Sequence, residues 1–557
     1  MNFAMLQLNV VTGDICGNAA RIAKAVRAAA VSGADLCITP NHALCGVGPQ
    51  HMLTVGGFVE ACRNALHALA EELAGGPPVL VGAPLVVFMP NDERICNAAV
   101  LLKDGKFVVA AHMAFNFHDE ADAATDQDLC CGMVTLLGWR LGVLLCDERR
   151  EDALFRQMQK TQANNPLKTL MARGMDALAY LGAIPFTTGI HELREQRLSH
   201  VASRHHLHLF SSNLAGGNGG DVYHGQSLGF GPTGALLGRG RMFGEDCVVI
   251  NAATGEGPRH PVCASWEEQV WGALCLGLRD YVHKSGFEGV LLGLSGGLDS
   301  AVAAAIAVDA LGREHVLGVL LPSPWTSEDS TRLAVELAEN LDIERMELPI
   351  ALLMQAYADT LASAFAAPPA SARAGKDAAE ENIQSRIRGH LLMALANKYG
   401  LLLLNTSNKS ELAVGYSTLY GDAAGALAVI GDVHKSGVYK LARRHNERRG
   451  RAVIPVGIIT RAPSAELRPG QLDTDALPPY DTLDPLLARI MGEDLPPEYP
   501  ADDGEQPDPL LLGDVYGKMR ATEFKRRQCP PVLRVSRRVL GRDWRLPLVS
   551  RYSVPKT

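Results

Sequence analysis

The chain has 557 residues, 47% of them hydrophobic and 20% charged, which at roughly 150 residues per domain excludes a disordered or fibrous protein and predicts two or more units with sizeable cores. Its 53 basic and 61 acidic side chains leave a net charge of −8 without long single-sign blocks, so nucleic acid is not an expected partner. No apolar run approaches the roughly 18 residues of a membrane span and the amino-terminal stretch lacks signal-peptide features, so no membrane partner and a cytoplasmic location are expected.

In chain order, residues 3–10 read as a strand, 18–33 as an alanine-rich amphipathic helix and 35–40 as a second strand. Further strand-like runs follow at 79–88, 97–102, 106–111, 133–137 and 141–146 with only brief turns between them, which suits a sheet-rich sandwich with helices outside. Residues 251–265 are rich in Gly, Pro and small polar residues and are expected to be a linker, dividing the chain into 1–250 and 266–557. From 266 onward strands and helices alternate, the pattern of a doubly wound parallel sheet. Two stretches, 366–381 and 494–509, read as loops. The first precedes a charged helix and has the placement of a lid. Twelve cysteines, with no CxxC pair at zinc-ligand spacing, read as reduced thiols, mostly small core residues. His205, His206 and His208 read as strand and surface histidines, because no carboxylate or cysteine stands at ligand spacing.

The strongest motif is Ser295-Gly296-Gly297-Leu298-Asp299-Ser300, set between the buried run Gly289–Leu294, which includes Gly293, and an alanine-rich helix. Two glycines allow close approach to a pyrophosphate, the helix start offers free N–H groups, two serines add hydroxyls, and Asp299 suits the magnesium ion that accompanies the phosphates. The Lys-Ser/Thr ending of a Walker loop is absent. The hexapeptide resembles the signature of the ATP pyrophosphatases. Further motifs follow: 380–389 (EENIQSRIRG), 406–411 (TSNKSE), 413–422 (AVGYSTLYGD), 432–435 (DVHK), 463–467 (PSAEL) and 524–527 (FKRR). In order and spacing this series resembles NAD synthetase over about 266–552.

That resemblance implies an ATP pyrophosphatase fold that adenylates deamido-NAD with ATP and amidates the adenylate with ammonia. By resemblance Asp299 and Glu411 would carry magnesium, and Gly293, Leu294, the hexapeptide 295–300, Thr406, Lys435 and Ser464 would contact ATP, with Lys435 and Asp299 catalytic. Asn382, Lys409, Glu411, Tyr416, Ser417, Thr418, Leu419 and Lys525 would line the deamido-NAD region. Taken singly, Glu380, Arg386 and Arg388 also read as a solvated helix face, and Lys435 as a surface lysine. The family's lysine after Pro-Pro near the carboxyl end is Arg534 here, keeping charge but changing geometry.

The first 250 residues resemble the nitrilase-type glutaminase domain of glutamine-dependent NAD synthetases, on Gln7-Leu8-Asn9, Val11–Asn18, Gly33–Leu36, Asn97–Val100 and Gly142–Cys146; the implied fold is a four-layer αββα sandwich. That chemistry uses a cysteine nucleophile, a glutamate base and a lysine for the oxyanion. Cys146 holds the nucleophile position, but the glutamate position reads Asn41 and the lysine region, 111–120, contains no lysine, Met113 being the nearest match. A glutamine-contacting lysine is replaced by Ile190. An amide cannot act as the base, and an unassisted thiol is only a few per cent thiolate at neutral pH, so Cys146 is expected to be a vestigial nucleophile in a buried core position. His42 and His112 flank the lost positions, but neighbours on an extended strand face opposite ways and neither is expected to substitute.

The expectation is therefore an ammonia-dependent NAD synthetase with a degenerate glutaminase domain, a homo-oligomer paired through its synthetase domains, with a separate amidase as a possible ammonia source. Two alternatives stand beside it: a glutamine-dependent enzyme with altered glutaminase groups, and a non-catalytic nucleotide-binding scaffold.

Overall fold

The computed structural model describes residues 1–89, 92–115, 131–147, 151, 155, 165–366, 378–493 and 508–552. Residues 116–120 of the lysine region and most of the two expected loops, 367–377 and 494–507, lie outside the described residues. The chain divides into two compact units, Met1–Cys263 and Ala264–Thr557.

In the first unit the strands are β1 (Asn2–Gln7), β2 (Leu36–Ile38), β3 (Val79–Met89), β4 (Asp92–Lys103), β5 (Lys106–Ala114), β6 (Cys131–Leu136), β7 (Trp139–Asp147), β8 (Ala177–Ala183), β9 (His208–Ser212), β10 (Ala215–Asn218), β11 (Asp221–His224), β12 (Leu228–Phe230), β13 (Leu236–Arg239) and β14 (Asp246–Asn251). Two six-stranded sheets form, in the orders β14-β1-β2-β3-β4-β5 and β13-β12-β9-β8-β7-β6, beside a small β10-β11 hairpin. The period-2 alternation of side chains decides the layers. In β1, Phe3 and Met5 join a core cluster shared with Leu141, Val143, Leu145 and Phe210 of the other sheet, whereas Ala4 and Leu6 join a cluster with helices α1 (Ile15–Val31) and α2 (Phe58–Glu72). Phe3 and Phe210 stack with ring centroids 4.0 Å apart, pinning sheet to sheet.

On β7 the same alternation sends Leu144 and Cys146 away from the sheet interface, into a cluster that includes Leu167 and Leu170 of α3 (Pro166–Ala172) and Leu198 of α4 (Ile190–His205). The layers are thus helix, sheet, sheet, helix, as the nitrilase resemblance implies. Helix α1 begins earlier than its apolar pattern, because the Asp14 side chain accepts from the Gly17 N–H and caps it. His205 ends α4, His206 is its left-handed cap and His208 opens β9. Part of the stretch read as a linker is laid on this unit: Asn251 ends β14, and the Arg239 N–H donates to the Pro258 carbonyl at 2.8 Å.

The second unit carries a five-stranded parallel sheet, β17-β16-β15-β18-β19, built from β15 (Val290–Gly293), β16 (Val316–Leu320), β17 (Glu344–Glu347), β18 (Leu402–Asn405) and β19 (Leu427–Ala428). Its longer helices are α5 (Trp266–Lys284), α6 (Leu298–Leu311), α7 (Glu328–Leu341), α8 (Ala351–Ala366), α9 (Ala379–Tyr399), α10 (Lys409–Val414), α11 (Lys435–Arg449), α12 (Tyr480–Met491) and α13 (Pro509–Ala521). Starting at β15, the chain runs outward through β16 and β17, then returns to the other side of β15 with β18. The strand order therefore reverses at β15, and ligands of such sheets bind beyond the carboxyl ends of the strands at that point. The segments leaving β15 and β18 there are residues 294–297 and 406–408.

Candidate active site

A cavity of about 470 Å³ opens at this switch point. The hexapeptide 295–300 forms one wall. Gly296 has φ +76°, and a Cβ there would meet the Ser330 carbonyl oxygen at 2.2 Å, so only glycine permits this turn. Ser295 and Ser300 lie 3.1 Å apart through their hydroxyls, and the Gly297 N–H donates to Ser295 Oγ at 3.2 Å. The hydroxyls thus brace the loop as well as lining the cavity. Helix α6 starts at Leu298 without a side-chain cap, leaving first-turn amides available to an anion.

Opposite the loop, Lys435 Nζ contacts Asp299 Oδ2 and lies 3.5 Å from Glu411 Oε1. Asn408 caps α10, shares a capping box with Glu411, and donates to Asp299 Oδ1 at 3.2 Å. Lys435 is almost wholly buried. Burial works against its ammonium, but Asp299 and Glu411 outweigh that and hold its pKa above the ordinary lysine range. Burial, reinforced by the Asp299 charge and only partly offset by Lys435, pushes the Glu411 carboxyl up to about 8. Asp299 and Glu411 thus present two hard oxygen donors. Magnesium bound with a nucleotide takes one or two carboxylates and completes its shell from phosphate and water oxygens, so the pair fits such an ion. Among the described residues no group of three or more His, Cys, Asp or Glu is arranged to hold a metal unaided.

The residues expected to contact ATP, namely 293–300, Thr406, Lys435 and Ser464, all line this cavity, as do Asn382, Glu411, Tyr416, Ser417, Thr418 and Lys525. Asn382 Oδ1 accepts from Thr418 Oγ1 at 2.8 Å, and Lys525 Nζ donates to the carbonyls of Gly415 and Ser417 at 2.9 and 2.6 Å. Two expected residues stand apart from it. Lys409 is 0% exposed, its ammonium enclosed by Asp432 at 2.9 Å, Glu493 at 2.6 Å and Ser536 at 2.8 Å, so its donors are spent on joining three distant segments. Leu419 meets Arg386 through its carbonyl, which accepts from Nε at 3.2 Å. Arg534 is buried with Nε donating to the Ser536 carbonyl, outside the cavity lining.

Helix α9 also differs from a solvated charged face. Glu380 is exposed, but Arg388 turns inward onto the Leu321 carbonyl at 3.0 Å and lines the cavity, its pKa lowered by burial. Asp473 and Tyr480 escape notice in the sequence. Asp473 is buried in the cavity wall and accepts from Tyr480 OH at 2.9 Å, while the Tyr480 ring lies 5.4 Å from Lys435 Nζ. Burial holds the Asp473 carboxyl above the ordinary range. No local spacing marks Asp473; only the fold brings it to Lys435.

In the first unit, Cys146 and Asn41 are both fully buried and come together: Asn41 Nδ2 donates to the Cys146 carbonyl at 3.2 Å. Residues 41 and 42 form a turn rather than an extended strand. His42 has φ +57°, its N–H accepted by Asn41 Oδ1 at 2.9 Å, and the turn rests on Gly82, where a Cβ would approach the His42 nitrogen to 2.7 Å. His42 is therefore not a neighbour on an extended strand, whereas His112 and Met113 do lie on β5, opposite Ala98 and Asn97. Met113 is buried, and Ile190 opens α4 half-buried. Beside Cys146 lies a buried polar chain that sequence alone does not suggest. Tyr180 OH donates to Glu151 Oε1 at 3.1 Å, and Arg194 Nε donates to the same oxygen at 2.9 Å. Burial, with the nearby Cys146 and Glu151, raises the Tyr180 pKa well above its ordinary value.

Family comparison defines the class: a carbon–nitrogen hydrolase domain matches residues 2–253 and an NAD synthase domain residues 270–529. Relatives span nearly the whole chain. The glutamine-dependent NAD(+) synthetase of Synechocystis sp. is 39% identical over 99% of this chain and 98% of its own, and that of Thermotoga maritima 34% identical over 100% and 99%. The solved glutamine-dependent NAD+ synthetase from Acinetobacter baumannii, in complex with adenosine diphosphate, matches with a TM-score of 0.72 at 30% identity over 98% of both chains. One from Cytophaga hutchinsonii, at 19% identity over 99% of this chain and 98% of its own, shares the fold with a TM-score of 0.78. The chain belongs to the glutamine-dependent NAD(+) synthetase family.

Proposed function

We propose that the chain is an NAD synthetase that adenylates deamido-NAD with ATP and amidates the adenylate with ammonia, its first unit being a glutaminase domain without its glutamate and lysine. The observation that carries the synthetase reading is the buried Lys435 set between Asp299 and Glu411 against the phosphate loop. A nicotinate carboxylate is a poor electrophile. It must first attack the α-phosphorus, release pyrophosphate and become an acyl adenylate, so neutralising phosphate charge is the central task.

In this reading the 295–300 loop and the start of α6 bind the phosphates, and Lys435 offsets charge that grows on the α-phosphate. Asp299 and Glu411 would hold the magnesium ion that comes with ATP, which supplies further charge neutralisation. Asn382, Tyr416, Thr418 and Lys525 orient the dinucleotide so that its carboxylate meets the phosphorus, a contribution of position rather than of bond making. Ammonia then attacks the acyl carbon, the C–N bond forms as the bond to AMP breaks, and AMP leaves.

Ammonia dependence is supported by Asn41, whose amide donates to the Cys146 carbonyl and, unlike the carboxylate of glutaminase chemistry, cannot take a thiol proton as a base. A working glutaminase with altered groups is the second reading, favoured by relatives named glutamine-dependent over their full length. The test is NAD formation from ATP, magnesium and deamido-NAD with glutamine or ammonium as the only nitrogen source. Product with ammonium alone is expected. A comparable, Cys146-dependent rate with glutamine would overturn the ammonia reading, and no product with either would favour the nucleotide-binding scaffold.

A further inference from the structure

Lys435 and Glu411 sit at the starts of two helices, α11 and α10, that come from different parts of the chain. Neither helix start explains by itself how the two side chains keep a fixed relation. His434, the residue before α11, makes no side-chain capping bond. The capping work falls to a residue from a third helix. Asp484 of α12 is 0% exposed, and its Oδ2 accepts from the Ser436 N–H at 2.9 Å and from the Ser436 hydroxyl. Its Oδ1 accepts from the Ser410 hydroxyl at 2.5 Å, and that same Ser410 Oγ accepts the Lys435 N–H at 2.9 Å. His434 Nδ1 stands 3.8 Å from Oδ1.

We infer that Asp484 is a positioning residue that locks Lys435 and Glu411 into register with the phosphate loop. Each serine it holds is the chain neighbour of a site residue: Ser410 precedes Glu411, and Ser436 follows Lys435. One carboxylate therefore fixes the backbone on both sides of the charge cluster. Its negative charge also suits the amino end of α11, where helix amides point outward. A misplacement near 1 Å of groups that act on a transferring phosphoryl unit is enough to lower a rate about 10²-fold. Asparagine has nearly the same shape but offers one acceptor oxygen and a donor in place of the second, leaving either the Ser410 hydroxyl proton or the Ser436 N–H without its acceptor.

The inference rests on the reading of Lys435 and Glu411 as groups that act on the phosphates. The full chain is therefore assayed with ATP, magnesium, deamido-NAD and ammonium chloride, comparing wild type, Asp484→Asn, Ser410→Ala, Ser436→Ala, the double variant Asp484→Asn with Ser410→Ala, and Lys435→Met, each well below its own melting temperature. Asp484→Asn is expected to lower kcat at least tenfold while the KM for ATP stays within twofold. Each serine variant should lower kcat by a smaller factor, and the double variant should be no slower than Asp484→Asn, because the changes act along one path. If Asp484→Asn does not fold, the serine variants, which each remove one hydroxyl, carry the test. A wild-type kcat in Asp484→Asn with only a lowered melting temperature, or in both serine variants, would overturn the inference while an inactive Lys435→Met left the synthetase reading standing. An active Lys435→Met would overturn both.

Discussion

The two units of this chain handle buried charge differently. Among the described residues near Cys146, Arg194 and Glu151 are spent on one another: Arg194 is 1% exposed and its ion pair with Glu151 also takes the Tyr180 hydroxyl. Around Lys435 the charges are held in place but face a cavity, with Asp299 and Glu411 on its wall. A fold survives when apolar alternation is kept, because that pattern is spread over many residues. A reaction centre depends on a handful of polar side chains, each of which one substitution can remove.

That contrast sets the effects expected of substitutions. Lys435→Met should lower kcat for NAD formation about 10²–10³-fold, the loss seen when a single stabiliser of transition-state charge is removed; AMP release in the ammonium assay measures it. In the first unit, Arg194→Met should instead act on stability. Breaking one side of a buried pair costs about 3–5 kcal/mol, read from denaturant unfolding, while ammonium-driven kcat per folded molecule stays within twofold. A matching fall in kcat would erase the distinction between the units.

Glu493 gives a pH-dependent case. Burial tends to raise its carboxyl, but the His434 hydrogen bond and the Lys409 charge outweigh that and bring it down to about 2. Because the folded value is depressed below the ordinary 4.5, the stabilisation is present above the unfolded pKa and is lost as pH falls through the folded one. Its size is on the order of 3 kcal/mol. The melting-temperature gap between wild type and Glu493→Gln should be constant near neutrality and shrink between about pH 4.5 and 2. A gap that does not change with pH in that window would exclude this linkage.

Smaller effects are expected at the cavity edge and at Cys146. Asn382→Ala removes one lining polar group and should raise the KM for deamido-NAD about tenfold with little change in kcat, equivalent to roughly 1.4 kcal/mol. Cys146→Ala should leave the ammonium-driven rate as it is; a glutamine-driven rate that disappears with the thiol would show the two units to be chemically more alike than Asn41 implies.

The first-unit strands up to β7, a sandwich with helices outside and the glycine turn between β15 and α6 were legible in the amino-acid order, since alternation at period 2 and glycines between a strand and a helix are local properties, whereas β8 to β14 were not read from it. The synthetase motifs were legible for the same reason, each being a short contiguous run. What needed the fold was the pairing of residues far apart in the chain. Lys409, read as facing substrate, meets Asp432, Glu493 and Ser536 instead, and Arg388, readable as solvated, turns onto Leu321. Asp473 and Asp484 carry no local signal at all. Side-chain direction at such positions is set by how helices lie on the sheet, and a buried charge goes wherever packing brings the partners that offset its desolvation.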